Sequence, residues 1–162
     1  SSGMPTSPRP QRSFPRLLAL AAGAALAARL LMPSVQDRVA WVPAAGAEEA
    51  ARAAGKPVLY DFTAAWCAPC RRLDRDLFAD ARRARWLGRS FVPVRVVDRE
   101  REEGANSEEV ERLEARFGVQ VFPTLVVAAA DGRVLARHEG YGGNVREVQR
   151  VLSQGLHAAG PR

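Results

Sequence analysis

Only two cysteines occur in the chain, three positions apart as Cys67-Ala68-Pro69-Cys70. Any disulfide within the chain must therefore close between them. So short a loop removes little entropy from the unfolded state, which makes the pair a poor staple for 162 residues. Chemistry accounts for it better. The flanking residues narrow the fold as well. Val58-Leu59-Tyr60-Asp61-Phe62-Thr63, apolar or β-forming apart from one acid, predicts a buried strand. A long helix then starts at Cys67, with Leu73, Leu77 and Ala81 stepping by four along one face and Arg71, Arg72, Asp74 and Arg75 on the other. The cysteines stand where a strand gives way to a helix.

That position suits thiol exchange, which needs one exposed, ionised sulfur and a second within reach of the mixed disulfide. Unpaired N–H groups in the first helical turn favour a thiolate at Cys67. Cys70 lies nearly one turn inward on the same side, and Pro69 comes early enough that its missing N–H costs little. Half of a zinc site is one alternative. It needs two more ligands, and the nitrogen candidates His138 and His157, nineteen residues apart, do not match a close histidine pair. An inert, sealed pair is the other, although a thiol pair at the head of a helix is rarely shielded from solvent. Asp61 lies six residues before Cys67 in a strand suited to burial. Burial disfavours its charged form and raises its pKa, so it could take the proton of Cys70, directly or through a water. The plainer alternative is an aspartate satisfied by backbone N–H groups.

Further along, Val39-Ala40-Trp41-Val42 predicts a short edge strand stopped by Pro43. Residues 47–54 form a helix with Glu48 and Glu49 in its first turn and Gly55 closing it. Phe91-Val92-Pro93-Val94-Arg95-Val96-Val97 gives a second strand, with Pro93 ill placed for a central position. Residues 98–106 read as a charged loop, and Ser107 caps a helix ending at Phe117 before Gly118. Leu125-Val126-Val127-Ala128 and Arg133-Val134-Leu135-Ala136-Arg137 flank the turn Asp131-Gly132, and Asn144 caps a last helix bearing Val145, Val148, Val151 and Leu152. The fold class is α/β, a mixed central sheet flanked by helices. Phe122-Pro123-Thr124 precedes a strand, and the residues alone do not fix the isomer of its prolyl bond. Gly140-Tyr141-Gly142-Gly143 lacks the context of a phosphate loop.

The net charge of +6 is unevenly spread. Residues 1–38 hold five arginines against one acid, whereas the remainder carries nineteen bases and seventeen acids. A basic leader on a near-neutral body indicates targeting and no nucleic-acid partner. Residues 1–16 read as a tag remnant, Ser1-Ser2-Gly3, and a disordered basic leader; residues 17–32 as a hydrophobic signal peptide or membrane anchor. Arg29 interrupts that run and must snorkel if it spans a bilayer; an alanine-rich soluble helix is the third option. Signal and anchor both leave the body periplasmic or otherwise extracytoplasmic, where disulfides persist. A linker over 33–38, a domain over 39–158 and a tail over 159–162 complete the division.

The segment from Val58 to Cys70, ending Trp66-Cys67-Ala68-Pro69-Cys70, resembles the active-site segment of thioredoxins, and Phe122-Pro123-Thr124 resembles their cis-proline loop. Gly55-Lys56-Pro57, Leu77-Phe78-Ala79-Asp80 and the stretch from Asp131-Gly132 to Gly140-Tyr141 are similar to the C-terminal periplasmic domain of DsbD and its stand-alone relatives. The resemblance implies a thioredoxin fold and a monomeric protein disulfide reductase or electron relay without metal or organic cofactor. Cys67 and Cys70 would form the redox disulfide and Asp61 the buried acid behind it. Pro123 would be cis beside the sulfurs and the Phe122 backbone would pair with the substrate polypeptide, while Trp66, Ala68, Pro69 and Thr124 complete the substrate-facing set. Partners would be protein disulfides and a separate electron-donor thiol protein, since the membrane domain that feeds DsbD is missing from this sequence. Without a histidine between the cysteines, the reduced form has one stabiliser fewer and the couple is more reducing. A dithiol oxidase and a copper-handling module with the cysteines as soft ligands are the rival readings.

Overall fold

The computed structural model describes residues 37–160. The predicted leader, the hydrophobic segment over 17–32 and most of the linker lie outside the described residues.

Alternation along one strand organises the molecule. β1 (Val58–Ala64) is buried along its whole length because both of its faces are covered. Leu59 belongs to a cluster with Leu73, Leu77, Phe78, Leu125 and Leu152 on one side. Val58, Tyr60 and Phe62 pack with Ala51, Val94, Phe117 and Val126 on the other. The first side is built by α2 (Ala68–Leu73), α3 (Ala81–Ser90) and α6 (Val145–Ala158), the second by α1 (Ala47–Ala54) and α5 (Glu108–Phe117). β2 (Val92–Asp98) runs parallel to β1, β3 (Thr124–Ala128) antiparallel to it, and β4 (Val134–Glu139) antiparallel to β3, in the order β2-β1-β3-β4. This is the predicted mixed sheet with helices on both faces. Asp61, two residues beyond Leu59, shares the face on which α2 lies.

Pro93 sits inside β2 after all, and the topology explains why: β2 is an edge strand, where a missing donor is tolerated. The Pro93 carbonyl accepts a hydrogen bond from the Val42 N–H at 2.9 Å. That bond is the extent of the pairing. Residues 39–42 form no strand, because Pro43 lacks the next donor and Trp41 turns to other contacts described below.

The predicted long helix from Cys67 is broken. After α2 the backbone widens into a π turn (Asp74–Phe78), and Asp80 then caps a new helix, its Oδ1 accepting from the Arg82 and Arg83 N–H groups at 3.0 and 2.9 Å. Leu73 and Leu77 stay in the core, but Ala81 is exposed at the start of α3. The charged loop over 98–106 likewise contains a one-turn helix, α4 (Glu100–Glu103), closed by Gly104 at φ 82°. Ser107 and Asn144 cap α5 and α6 as predicted, accepting from the Val110 and Glu147 N–H groups, each at 3.3 Å.

Two helical glycines contrast. A Cβ on Gly155 would stand 2.8 Å from Val127 Cβ and 2.9 Å from Ala136 Cβ, so α6 rests on β3 and β4 through a bare backbone. A Cβ on the exposed Gly88 would meet nothing within 4 Å. Gly155→Ala is therefore expected to destabilise by on the order of 1–2 kcal/mol through overpacking. Gly88→Ala is expected to stabilise by up to about 1 kcal/mol through helix propensity. Thermal unfolding of both variants checks the opposite signs.

Candidate active site

Cys67 is the N-cap of α2, with φ −77° and ψ 107°, and its Sγ accepts from the Cys70 N–H at 3.2 Å. Pro69 occupies the first turn, where no intrahelical donor is lost. The cysteines are joined as a disulfide with Cα atoms 5.3 Å apart. A backbone donor aimed at Sγ and the start of a helix behind it are the surroundings in which a thiolate is stabilised. Cys70 faces inward and α2 buries Leu73 after it.

The sequence predicts an exposed sulfur, and the structure corrects this. Cys67 and Cys70 are each only 2 % exposed. The covering comes from Phe122, which packs against Ala64, Cys67 and Cys70, and stands edge-on to Trp66 with ring centroids 5.9 Å apart. Arg101 of α4 in turn lies 3.5 Å from the centre of the Trp66 ring. The seal is thin, however: Trp66 remains 39 % exposed, and Ala68, Pro69 and neighbouring Val121 are also at the surface.

The Phe122–Pro123 bond is cis. Two hydrogen bonds fix this loop, one within it and one to the glycine-rich loop after β4. Thr124 Oγ1 donates to the Val121 carbonyl at 2.8 Å, and the Gly140 N–H donates to the Pro123 carbonyl at 2.7 Å. Tyr141 then donates through its hydroxyl to Asp76 at 2.6 Å, which ties the glycine-rich loop to the π turn. Pro123 and Thr124 are buried.

Asp61 is 1 % exposed and, among the described residues, pairs with no backbone N–H group. Its partner is Arg95, directly opposite in the β1–β2 register, whose Nε donates to Asp61 Oδ2 at 2.9 Å. The same guanidinium donates to Asp37 at 2.8 Å and to Asp74 at 2.7 Å, and lies over the rings of Trp41 and Phe78 at 4.3 and 5.0 Å. Trp41 Nε1 also donates to Asp37. Three carboxylates thus share one cation. Burial pushes the Asp61 carboxyl up to about 7; Arg95 opposes this, while Asp74 and Asp37 add to it. Burial raises Asp74 as well, with Arg95 again opposing. Asp37, Arg71, Asp74, Arg75 and Arg95 line a recess of about 200 Å³ beside the active-site helix.

Of the residues named from the sequence, Phe122 packs on the two cysteines, Trp66, Ala68 and Pro69 adjoin them along the chain, Pro123 and Thr124 follow Phe122 in its loop, and Asp61 stands midway along β1. Sequence reasoning missed Arg95, Asp37, Asp74, Trp41 and Arg101. A charge inside the apolar run of β2 was the one signal for Arg95; nothing in the sequence pointed to the rest. Among the described residues no group of three or more His, Cys, Asp or Glu side chains is placed to hold a metal ion, and no helix is long and apolar enough to cross a membrane.

Residues 45–155 match the family model described as a thioredoxin-like domain. No curated protein matches the chain in sequence. Among solved structures, the DsbH oxidoreductase is 25% identical, with a TM-score of 0.60 over 75% of this chain and 89% of its own. A candidate disulphide isomerase from Bacteroides thetaiotaomicron is 27% identical, with a TM-score of 0.59 over 74% of this chain and 94% of its own. The oxidised C-terminal domain of DsbD from Neisseria meningitidis, 21% identical with a TM-score of 0.51 over 68% of this chain and 90% of its own, shares the fold.

Proposed function

The chain belongs to the thioredoxin-like family, and on that premise we propose that it reduces protein disulfides, or relays electrons to them, outside the cytoplasm. The observation that carries this reading is the Cys67–Cys70 disulfide itself, set at a helix start with the Cys70 N–H on Cys67 Sγ and the Phe122–Pro123 loop packed over it. In the reduced protein, the Cys67 thiolate attacks one sulfur of a partner disulfide and releases the other as a thiolate. Cys70 loses its proton to Asp61 and attacks Cys67 Sγ, so the Cys67–Cys70 disulfide forms and the partner leaves as a dithiol, its two thiolates taking up the proton from Asp61 and one from water. Two electrons have moved to the partner, and a donor dithiol protein returns them. A carboxyl with a pKa of about 7 suits this proton transfer, since it is neither fully charged nor fully neutral near neutral pH. Trp66, Val121 and Phe122 offer the apolar contact area for the partner; Ala68 and Pro69, which follow the attacking cysteine, are exposed.

Two features favour reduction over oxidation. The dipeptide Ala68-Pro69 adds no cation to the thiolate. The carboxylates around Arg95 outnumber it, which works against a second buried negative charge nearby. The extracytoplasmic location rests on the basic start and the apolar run over 17–32. The direct test is the reduction potential. A value nearer −270 mV, on the order of thioredoxin's, together with reduction of insulin disulfides, is the expected result; a value nearer about −120 mV reverses the direction.

A further inference from the structure

The rim of the disulfide is cationic on three sides. Arg71 bends back from α2 to donate to the Ala65 carbonyl at 2.8 Å, which fixes its guanidinium beside the turn carrying Trp66 and Cys67. Arg72 reaches the glycine-rich loop, its NH1 3.8 Å from where a Cβ on Gly143 would stand, and that loop is bound to Pro123 through Gly140. Arg101 approaches from α4 and covers the Trp66 ring. All three arginines are exposed, and among the described residues none has a carboxylate oxygen within 4.0 Å. Four of the neighbouring acids are engaged elsewhere. Asp37 and Asp74 bond Arg95, Asp76 accepts from Tyr141, and Glu103 pairs with Arg99 at 3.5 Å. Glu100 lies close enough to Glu114 to help raise its pKa, which leaves Glu102 on α4. Trp66, under Arg101, and Val121, beside Phe122 in the chain, are exposed apolar side chains.

An apolar centre ringed by unpaired cations selects its partner by charge. We propose that the disulfides this protein acts on belong to polypeptides carrying carboxylates beside the reacting cysteine. The inference rests on the redox reading above and adds the substrate class to it. Arginine at this rim can hold a carboxylate through two parallel N–H bonds, which orients the partner as well as attracting it.

Two disulfide-bonded peptides, identical except for Glu or Lys on both sides of the attacked cysteine, test this with the full chain. At low salt the Glu peptide is expected to be reduced with a kcat/KM on the order of tenfold above that of the Lys peptide. The ratio should approach one in 1 M salt, where screening acts within about 3 Å. The double variant Arg71→Glu, Arg101→Glu should invert the ranking, and Arg71→Gln, Arg101→Gln should flatten it. Arg52→Glu, on α1 away from the rim, should keep the wild-type ratio. Equal rates for the two peptides, or a preference insensitive to both salt and the rim variants, overturns the proposal while leaving the redox reading standing. Failure to reduce either peptide overturns the redox reading and this inference with it.

Discussion

Replacing Cys67 by serine is expected to abolish turnover of protein disulfides, a loss on the order of a thousandfold or more. A hydroxyl in that position cannot form the mixed disulfide, and the one cysteine left, Cys70, faces inward. Cys70→Ser should fail differently. Its first step is intact, so the chain is expected to stall as a covalent adduct between Cys67 and its partner, visible by mass and released by reductant. The asymmetry follows from the helix start. Cys67 is the cap, with the exposed Trp66, Ala68 and Pro69 on either side, whereas Cys70 points inward at the level of buried Leu73. The Cys70 N–H that bonds Cys67 Sγ at 3.2 Å belongs to the backbone and survives the Cys70→Ser substitution, so the attacking sulfur keeps its stabilisation. Residual turnover in Cys67→Ser, or trapping by Cys67→Ser and not by Cys70→Ser, would reverse the assignment of the two roles.

What could be read from the sequence was local. The strand before Cys67, the cap residues and the Asp131-Gly132 turn each declare themselves within a few positions, and the structure has them all. An acid inside an apolar strand declared Asp61 in the same way. Its partner could not be read, because Arg95 meets Asp61 only through the pairing of β1 with β2, and register is a tertiary property. Two isolated charges in two buried strands were visible; that they face each other was not. The helix break shows a different limit. Leu73 and Leu77 keep the stripe, but the π turn shifts the phase and Ala81 leaves the core. Asp80, a strong N-cap residue type, carried the signal for the break, which the apolar stripe outweighed. At residues 39–42 the composition fitted a strand, yet Trp41 is held by Arg95 and Asp37 instead. The buried sulfurs have the same origin: their cover comes from Phe122 and, through Trp66, from Arg101, residues 31 or more positions away along the sequence.

Asp61→Asn should make the protein more stable and a poorer enzyme. The folded state raises the Asp61 pKa from 3.8 to about 7, so it holds that proton more tightly than the unfolded chain does. Below pH 4 the carboxyl is neutral in both states and costs nothing. As the pH climbs from about 4 to 7, the unfolded chain ionises first and stability drains from the wild type. Above 7 the whole cost is present, about 4 kcal/mol for a rise of that size. Asparagine has nearly the same shape, stays neutral, and can still accept from Arg95 Nε. The stability gap between variant and wild type is therefore expected to open between pH 4 and 7 and to hold at pH 8, as urea unfolding at several pH values would register. Activity should move the other way. Without a proton acceptor the resolving step slows by on the order of a hundredfold, the mixed disulfide lives longer, and the limb of the pH–rate profile near 7 disappears. An Asn variant with the wild-type profile removes Asp61 from the mechanism, whereas one no more stable at pH 8 contradicts the raised pKa. Packing alone gives no reason for a buried carboxylate that weakens the fold at working pH, so opposite movements of stability and rate would identify one retained for proton transfer.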